Sequence, residues 1–245
     1  MITRLLFLAA ALGSAATAAT APNTLSPAEA QAGWQLLWDG HSSAGWRSAY
    51  GPEFPAHGWT MENGVLSVLS SGKSEPTGGD IITVAKYSNF ELSVDFKIEP
   101  RTNSGIKIFI DNDVFPGKNG AQLGLEYQIL DDALHPDAKL GRNGDRTMAS
   151  LYDMFPAAST KKVNPVGEWN TARIVVQGGH VEHWLNGEKV LEYDRFSPEF
   201  AAAFKLSKYK TNKNFGQLPE GHILLQEHGD AVHFRNIKLR VLPPS

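Results

Sequence analysis

The strongest constraint on the fold is the stretch "FELSVDFKI". Phe90, Leu92, Val94, Phe96 and Ile98 alternate with Glu91, Ser93, Asp95 and Lys97 over nine residues. A period of two over that length specifies a β-strand with one apolar and one polar face, the pattern of an antiparallel sheet covered on one side. Similar runs recur between turn residues: "GWTMENGVLSVL", "SGIKIFI", "LGLEYQIL", "WNTARIVVQGGHVEHWLNGEKVLEY" and "GHILLQEHGDAVHFRNIKLRVL". Val, Ile and aromatic residues dominate them, as strands prefer. "LNGE" at Leu185 to Glu188 is a hairpin signal, because Asn186 and Gly187 tolerate positive φ. Only "SPAEAQ" and "SPEFAAAF" carry a capping serine, a proline and a helix-forming run. The expected fold is therefore all-β, two antiparallel sheets packed face to face.

The first residues do not fit that fold. Arg4, the apolar run Leu5 to Leu12 and the small residues Ala16-Thr17-Ala18 form an export signal over 1–21, with a linker at 22–33 and the sandwich domain at 34–243. The expected location is periplasmic or secreted, with no membrane attachment once the signal is removed. The chain has no cysteine, so it forgoes disulfides and relies on its core. A net charge of −3 gives no basic stripe for nucleic acid. The run "KLSKYKTNKNFG", Lys205 to Gly216, reads as a solvated loop or helix face.

Familiar catalytic motifs are missing. There is no nucleophile elbow, P-loop or dinucleotide fingerprint. "DNDVFPGKNGAQ" imitates a calcium loop but fails where Phe115, Pro116 and Gln122 replace the required glycine and oxygen ligands. What remains is a set of polar residues inside strands: Glu126, Gln128, His183, Lys107, Lys97, Gln226, His228 and Arg235. In "LGLEYQILDD", Leu125, Tyr127 and Ile129 point one way while Gly124, Glu126, Gln128 and Leu130 point the other. Polar groups converging from several strands suit a small sugar, whose hydroxyls demand hydrogen bonds and whose C–H faces stack on rings such as Trp34, Trp46, Trp59, Trp169 or Trp184.

These blocks occur in an order that resembles the 3-keto-disaccharide hydrolase family, from "LLWDGHSSAGWRS" through "GGDIITVAKYSNFELSVDFKI", "NSGIKIFI" and "GLEYQILDD" with "HPD" to "GHILLQEHGDAVHFRNIKLR". The resemblance covers Trp34 to Leu242 and implies a jelly-roll sandwich of the concanavalin A-like lectin/glucanase type. It also implies hydrolysis of glycosides already oxidised to a ketone at C3. The ketone acidifies the C2–H bond, so a base removes that proton, the enolate expels the C1 substituent and water adds to the alkene. Under this expectation Glu126, His183 and His228 are the acid/base candidates. Lys107 or Arg235 would stabilise the enolate, Gln128, Asp80 and Asn103 would bind hydroxyls, and Asp131 and His135 would frame the cleft mouth. No cofactor is expected, and no local spacing announces a metal, although Glu126, His183 and His228 would be its ligands. The competing readings are a non-catalytic carbohydrate-binding domain, a conventional glucanase with paired carboxylates, and a scaffold domain. "EYQ" counts against the glucanase, because it supplies one carboxylate where two are needed.

Overall fold

The computed structural model describes residues 21–70, 77–111 and 122–244, so most of the expected export signal and most of the calcium-like loop lie outside the described residues. Among the described residues, thirteen strands form two antiparallel sheets. In chain order they are β1 (Gln35–Leu36), β2 (Trp46–Ser48), β3 (Trp59–Glu62), β4 (Val65–Val68), β5 (Ile81–Thr83), β6 (Phe90–Ile98), β7 (Asn103–Ile110), β8 (Leu125–Leu130), β9 (Trp169–Gln177), β10 (His180–Leu185), β11 (Glu188–Asp194), β12 (His222–Leu225) and β13 (Val232–Val241). The larger sheet runs β11-β10-β9-β6-β13-β4-β3, with β1 also paired to β13. The smaller runs β2-β5-β12-β7-β8. The two expected helices are present as α1 (Pro27–Gln31), with a Ser26/Glu29 capping box, and α2 (Pro198–Leu206), capped by Ser197.

The main core lies between the sheets. The larger sheet contributes Phe90, Leu92, Val94 and Phe96 from β6, and the smaller contributes Ile106, Ile108, Leu125, Tyr127 and Ile129. The hairpin between β10 and β11 turns through Asn186 at φ 50° and Gly187 at φ 83°. In β13 the alternation slips at a bulge between Arg235 and Lys238, with Asn236 at φ 50°. The slip explains why Val232 and Phe234 face the core before it, and Ile237 and Leu239 after it.

The smaller sheet is buried on both faces. Its outer face carries a second apolar cluster, Ala49, Ile82, Ile110 and Leu224, beside a row of polar side chains. The edge of β8 is covered by residues 148–155: Gln128 N donates to Ser150 O, Ala149 N to Gln128 O and Tyr152 N to Glu126 O. Ala149 and Asp153 take left-handed φ values of 65° and 61° in doing so.

Candidate active site

Strand register decides which polar residues meet. On β7 and β8, Lys107 lies opposite Glu126, Gly105 opposite Gln128 and Asn103 opposite Leu130. The intervening Ile106 and Tyr127 point into the core, so Asn103, Lys107, Glu126 and Gln128 share the outer face. Asp80, immediately before β5, and Gln226, immediately after β12, extend this face: Gln226 N donates to Gly105 O at 3.0 Å, and Glu227 N donates to Asp80 Oδ1 at 2.9 Å. They line a cleft of about 550 Å³ with Tyr50, Lys107, Lys208 and His228.

Charge is concentrated at the cleft floor. Lys107 Nζ stands 3.8 Å from Glu126 Oε2, and Tyr209 Oη donates to the same oxygen at 3.4 Å. Lys107 and Glu126 are both buried. Gly105 makes the arrangement possible, because a Cβ there would lie 2.6 Å from Glu126 Oε1. Desolvation pushes the Asp80 carboxyl up to about 6, against the opposing pull of Lys107 and with help from the negative charge of Glu126. Tyr50 Oη donates to Asp80 Oδ2 at 3.4 Å. Burial followed by the Glu126 charge holds the Tyr209 phenol well above its ordinary range.

Several buried amide oxygens near these groups lack donors among the described residues. Gln128 Nε2 donates to Asn103 Oδ1 at 3.1 Å, yet Gln128 Oε1 has no donor among the described residues. The buried amide oxygens of Gln122 and Gln226 are in the same position. Buried acceptors are normally satisfied; Gln226 lines the cleft and offers its oxygen to a hydroxyl donor, while Gln122 and Gln128 lie beside Lys107 and Asn103.

Two loops build one wall of the cleft. Arg146 bonds Asp137 Oδ1 through Nη1 and Asp153 Oδ1 through Nε, both at 2.9 Å, while Asp153 Oδ2 accepts from Lys208 N at 2.6 Å. Arg142 Nη1 and Nη2 donate to the carbonyls of Leu206 and Asp153, each at 2.8 Å. This clamp brings the Lys208 ammonium over the rings of Tyr152, at 4.1 Å, and Tyr209, at 5.1 Å. Packing among these groups, with the charge of Lys107 nearby, lowers the Lys208 pKa, although its side chain keeps access to water. The run from Lys205 to Gly216, read from sequence as a solvated face, thus supplies Lys208 and Tyr209 to the site. The sequence offered one clue, the aromatic residues Tyr209 and Phe215 among its lysines.

Of the expected site residues, Glu126, Lys107, Gln128, Asp80, Asn103 and His228 are brought to this face. Three are not. His183 lies in the core on the opposite side of the smaller sheet, with Nδ1 2.9 Å from Ala149 O and its ring packed on Tyr127 and Tyr193 at 4.9 and 5.6 Å. Burial lowers its pKa to about 4, so it is neutral and structural. Arg235 sits on the outer face of the larger sheet, 3.5 Å from Asp95 and stacked on Trp169 at 4.0 Å. Asp131 organises a turn, accepting from the backbone of Arg101, Ala133 and Leu134 at 2.8, 3.1 and 3.2 Å. His135 caps a 3₁₀ turn (Pro136–Lys139). The tryptophans expected as sugar platforms also lie elsewhere. Trp46 and Trp59 are in the core, and cationic side chains stack on Trp34, Trp169 and Trp184.

With His183 across the sheet, Glu126, His183 and His228 do not assemble as metal ligands. Among the described residues the cluster with ligand-like spacing is His180, Glu182 and Glu192, on the edge of the larger sheet. There Lys189 Nζ already pairs with the two carboxylates at 3.2 and 2.6 Å. No helix among the described residues is long and apolar enough to cross a membrane.

The chain is thus a two-sheet antiparallel sandwich whose smaller sheet gathers a carboxyl, an ammonium and an amide oxygen in a cleft of the size of a small-ligand site. Residues 33–240 match the family described as the 3-keto-alpha-glucoside-1,2-lyase-like domain, and the chain belongs to that family. It is 38% identical over 230 residues to a 3-keto-disaccharide hydrolase of Bacteroides thetaiotaomicron, covering 86% of this chain and 79% of that protein. Two solved structures from Parabacteroides distasonis ATCC 8503, provisionally named glycosyl hydrolases, are each 30% identical. The first superposes with a TM-score of 0.78 over 91% of this chain and 100% of its own, the second with 0.62 over 85% and 99%. The chain is accordingly an enzyme of the glycoside hydrolase class, as the resemblance implied.

Proposed function

We propose that this enzyme cleaves glycosides whose sugar carries a ketone at C3, by elimination and rehydration, after export from the cytoplasm. The observation that carries the mechanism is the grouping of Asp80, Lys107 and Glu126 on one sheet face beneath a cleft of about 550 Å³. Asp80 is the base. A carboxyl held near 6 is mostly ionised at neutral pH yet more basic than an ordinary aspartate, which suits removal of a C2 proton acidified by the adjacent ketone. The C2–H bond breaks, its electron pair forms the C2–C3 double bond, and negative charge moves to the C3 oxygen. Lys107 faces that oxygen, and Lys208 adds a second positive charge along the cleft. Glu126 does not itself line the cleft, and it acts by fixing the Lys107 ammonium and the Tyr209 phenol.

Collapse of the enolate forms the C1–C2 double bond and expels the C1 oxygen, which takes a proton from His228 at the cleft mouth. Water then adds across the alkene, at C1 and C2, to give the free 3-keto sugar. The sequence avoids an oxocarbenium ion and needs no carboxyl pair across the glycosidic bond. The amide oxygen of Gln226, which lines the cleft, accepts from a substrate hydroxyl.

The test is incubation of the purified chain in D₂O with a 3-keto-glucoside and with its unoxidised parent. Leaving-group release from the ketone alone, with deuterium appearing at C2, is the expected result. Equal release from both, or release from the ketone without C2 exchange in any product or recovered substrate, overturns the elimination route.

A further inference from the structure

A second concavity lies apart from the cleft, on the far side of an aromatic stack. The Tyr209 ring, which reaches Glu126, stacks on Phe215 at 4.2 Å, and Phe215 in turn stacks on Phe204 at 6.0 Å. Beyond them is a groove of about 300 Å³ lined by Phe196, Phe200, Ala201, Phe204, Phe215 and Arg195. Arg195 is 4% exposed. Its Nε donates to Gly178 O at 3.2 Å, and Nη1 donates to Gly216 O and Leu218 O at 3.1 and 2.5 Å. The guanidinium is also packed against Phe109 at 4.1 Å and Phe196 at 4.6 Å. Among the described residues no carboxylate lies within ion-pair distance of it, although the Asp194 charge acts on it from farther off, and Nη2 makes no hydrogen bond. The side chain of neighbouring Asp194 is bonded instead to Phe196 N at 2.7 Å.

A buried cation bonded only to neutral carbonyls, with the Asp194 charge acting on it from beyond ion-pair distance, has its desolvation only partly offset. Carbonyl bonds and ring contacts stabilise it in part, but the two N–H bonds of Nη2 remain for an anion. The N-terminus of α2 opens on the same groove through Ser197 and Phe200, adding partial positive charge. The remaining walls are phenyl rings. We infer that this groove is a binding site for a small aromatic carboxylate, its carboxylate on Arg195 and its ring among Phe196, Phe200, Phe204 and Phe215. Nothing in the proposed reaction uses the groove, so the inference stands independently of the chemistry assigned to the cleft.

Titration of the full chain with cinnamate, followed by calorimetry or by aromatic NMR shifts, tests it directly. Saturable binding of cinnamate is expected, with cinnamamide weaker by about tenfold or more, because the amide lacks the charge-assisted bond. Arg195 also ties two loops together, so an Arg195→Met variant risks unfolding. Ala201→Trp, on an exposed helix position, fills the groove instead and is expected to abolish cinnamate binding with the melting temperature unchanged. Absence of saturable binding, equal affinity for acid and amide, or undiminished binding to the Ala201→Trp variant overturns the inference.

Discussion

The two outward faces of the sandwich carry similar residues and treat them differently. On the larger sheet, Glu91 is bonded through one oxygen to Arg173 and through the other to Arg240 at 2.6 Å. Asp95 accepts from Thr171 and Asn236, both at 2.7 Å, beside Arg235. Arg173 and Arg235 then lie on Trp184 and Trp169 at 4.4 and 4.0 Å. Both acids there are fully partnered, and of the arginines on that face Arg235 keeps its Nε without a hydrogen bond among the described residues. On the smaller sheet, Lys107 and Glu126 meet only at 3.8 Å, Asp80 is held near 6, and three amide oxygens lack donors among the described residues. Polar groups that satisfy each other contribute to stability, whereas groups left partly unsatisfied are poised for a substrate.

That contrast can be tested by removing equivalent groups from each face. The largest effect is expected at Lys107. Lys107→Met removes the cation proposed for the enolate and should lower kcat by about 10²–10³-fold on a 3-keto-glucoside. Arg235→Met on the other face should leave kcat near the parent value. Equal losses would erase the distinction. Gly105→Ala comes next: its Cβ would displace the Glu126 carboxylate, and a misplacement of that order costs about 10²-fold in turnover. Glu91→Gln should instead cost roughly 1–3 kcal/mol of stability, discounted because both arginines are partly exposed, with turnover retained. Denaturant melts and kinetics on the two variants separate these outcomes.

A smaller effect, but a sharper one, concerns pH. The folded-state pKa of Asp80, about 6, lies above the ordinary aspartate value, so folding binds a proton between roughly pH 4 and 6 and stability falls as pH rises through that window. Asp80→Asn should therefore melt higher at pH 7 while losing activity, and the acid limb of kcat/KM near 6 should vanish with it. A variant less stable at pH 7, with that limb intact, would assign the limb to another group. The smallest effect on catalysis is expected at His183. Its pKa is lowered to about 4, so it destabilises the fold as pH drops from about 6.5 towards 4, where the unfolded chain binds the proton first. His183→Phe should cost about 1 kcal/mol at pH 7 through the lost bond to Ala149 and flatten that acid dependence. Turnover should be little changed.

Much of this was legible in the sequence, and the departures have definite causes. Alternation placed Glu126 and Gln128 opposite Leu125, Tyr127 and Ile129, and the structure keeps that division. The same rule read strictly on "VEHWL" puts His183 with Val181 and Leu185 on the apolar face, which is where it lies. Arg235, two residues beyond His233, shares its face, and His233 pairs with Lys97, so the register of β13 against β6 sends Arg235 to the outer face of the larger sheet. Periodicity tells which neighbours share a face but not which sheet the face belongs to, and that is fixed by pairing between strands distant in sequence. Lys208 and Tyr209 were harder to find, because a loop has no period, and only the Arg142, Arg146 and Asp153 clamp brings them to Glu126.

The clamp has a consequence for how such enzymes diversify. The groups proposed for proton removal and enolate stabilisation are anchored on strands, while one side of the cavity hangs from a few arginine–carbonyl and arginine–aspartate links. Changes of length or composition on that side would leave intact the strand register that positions Lys107 and Glu126.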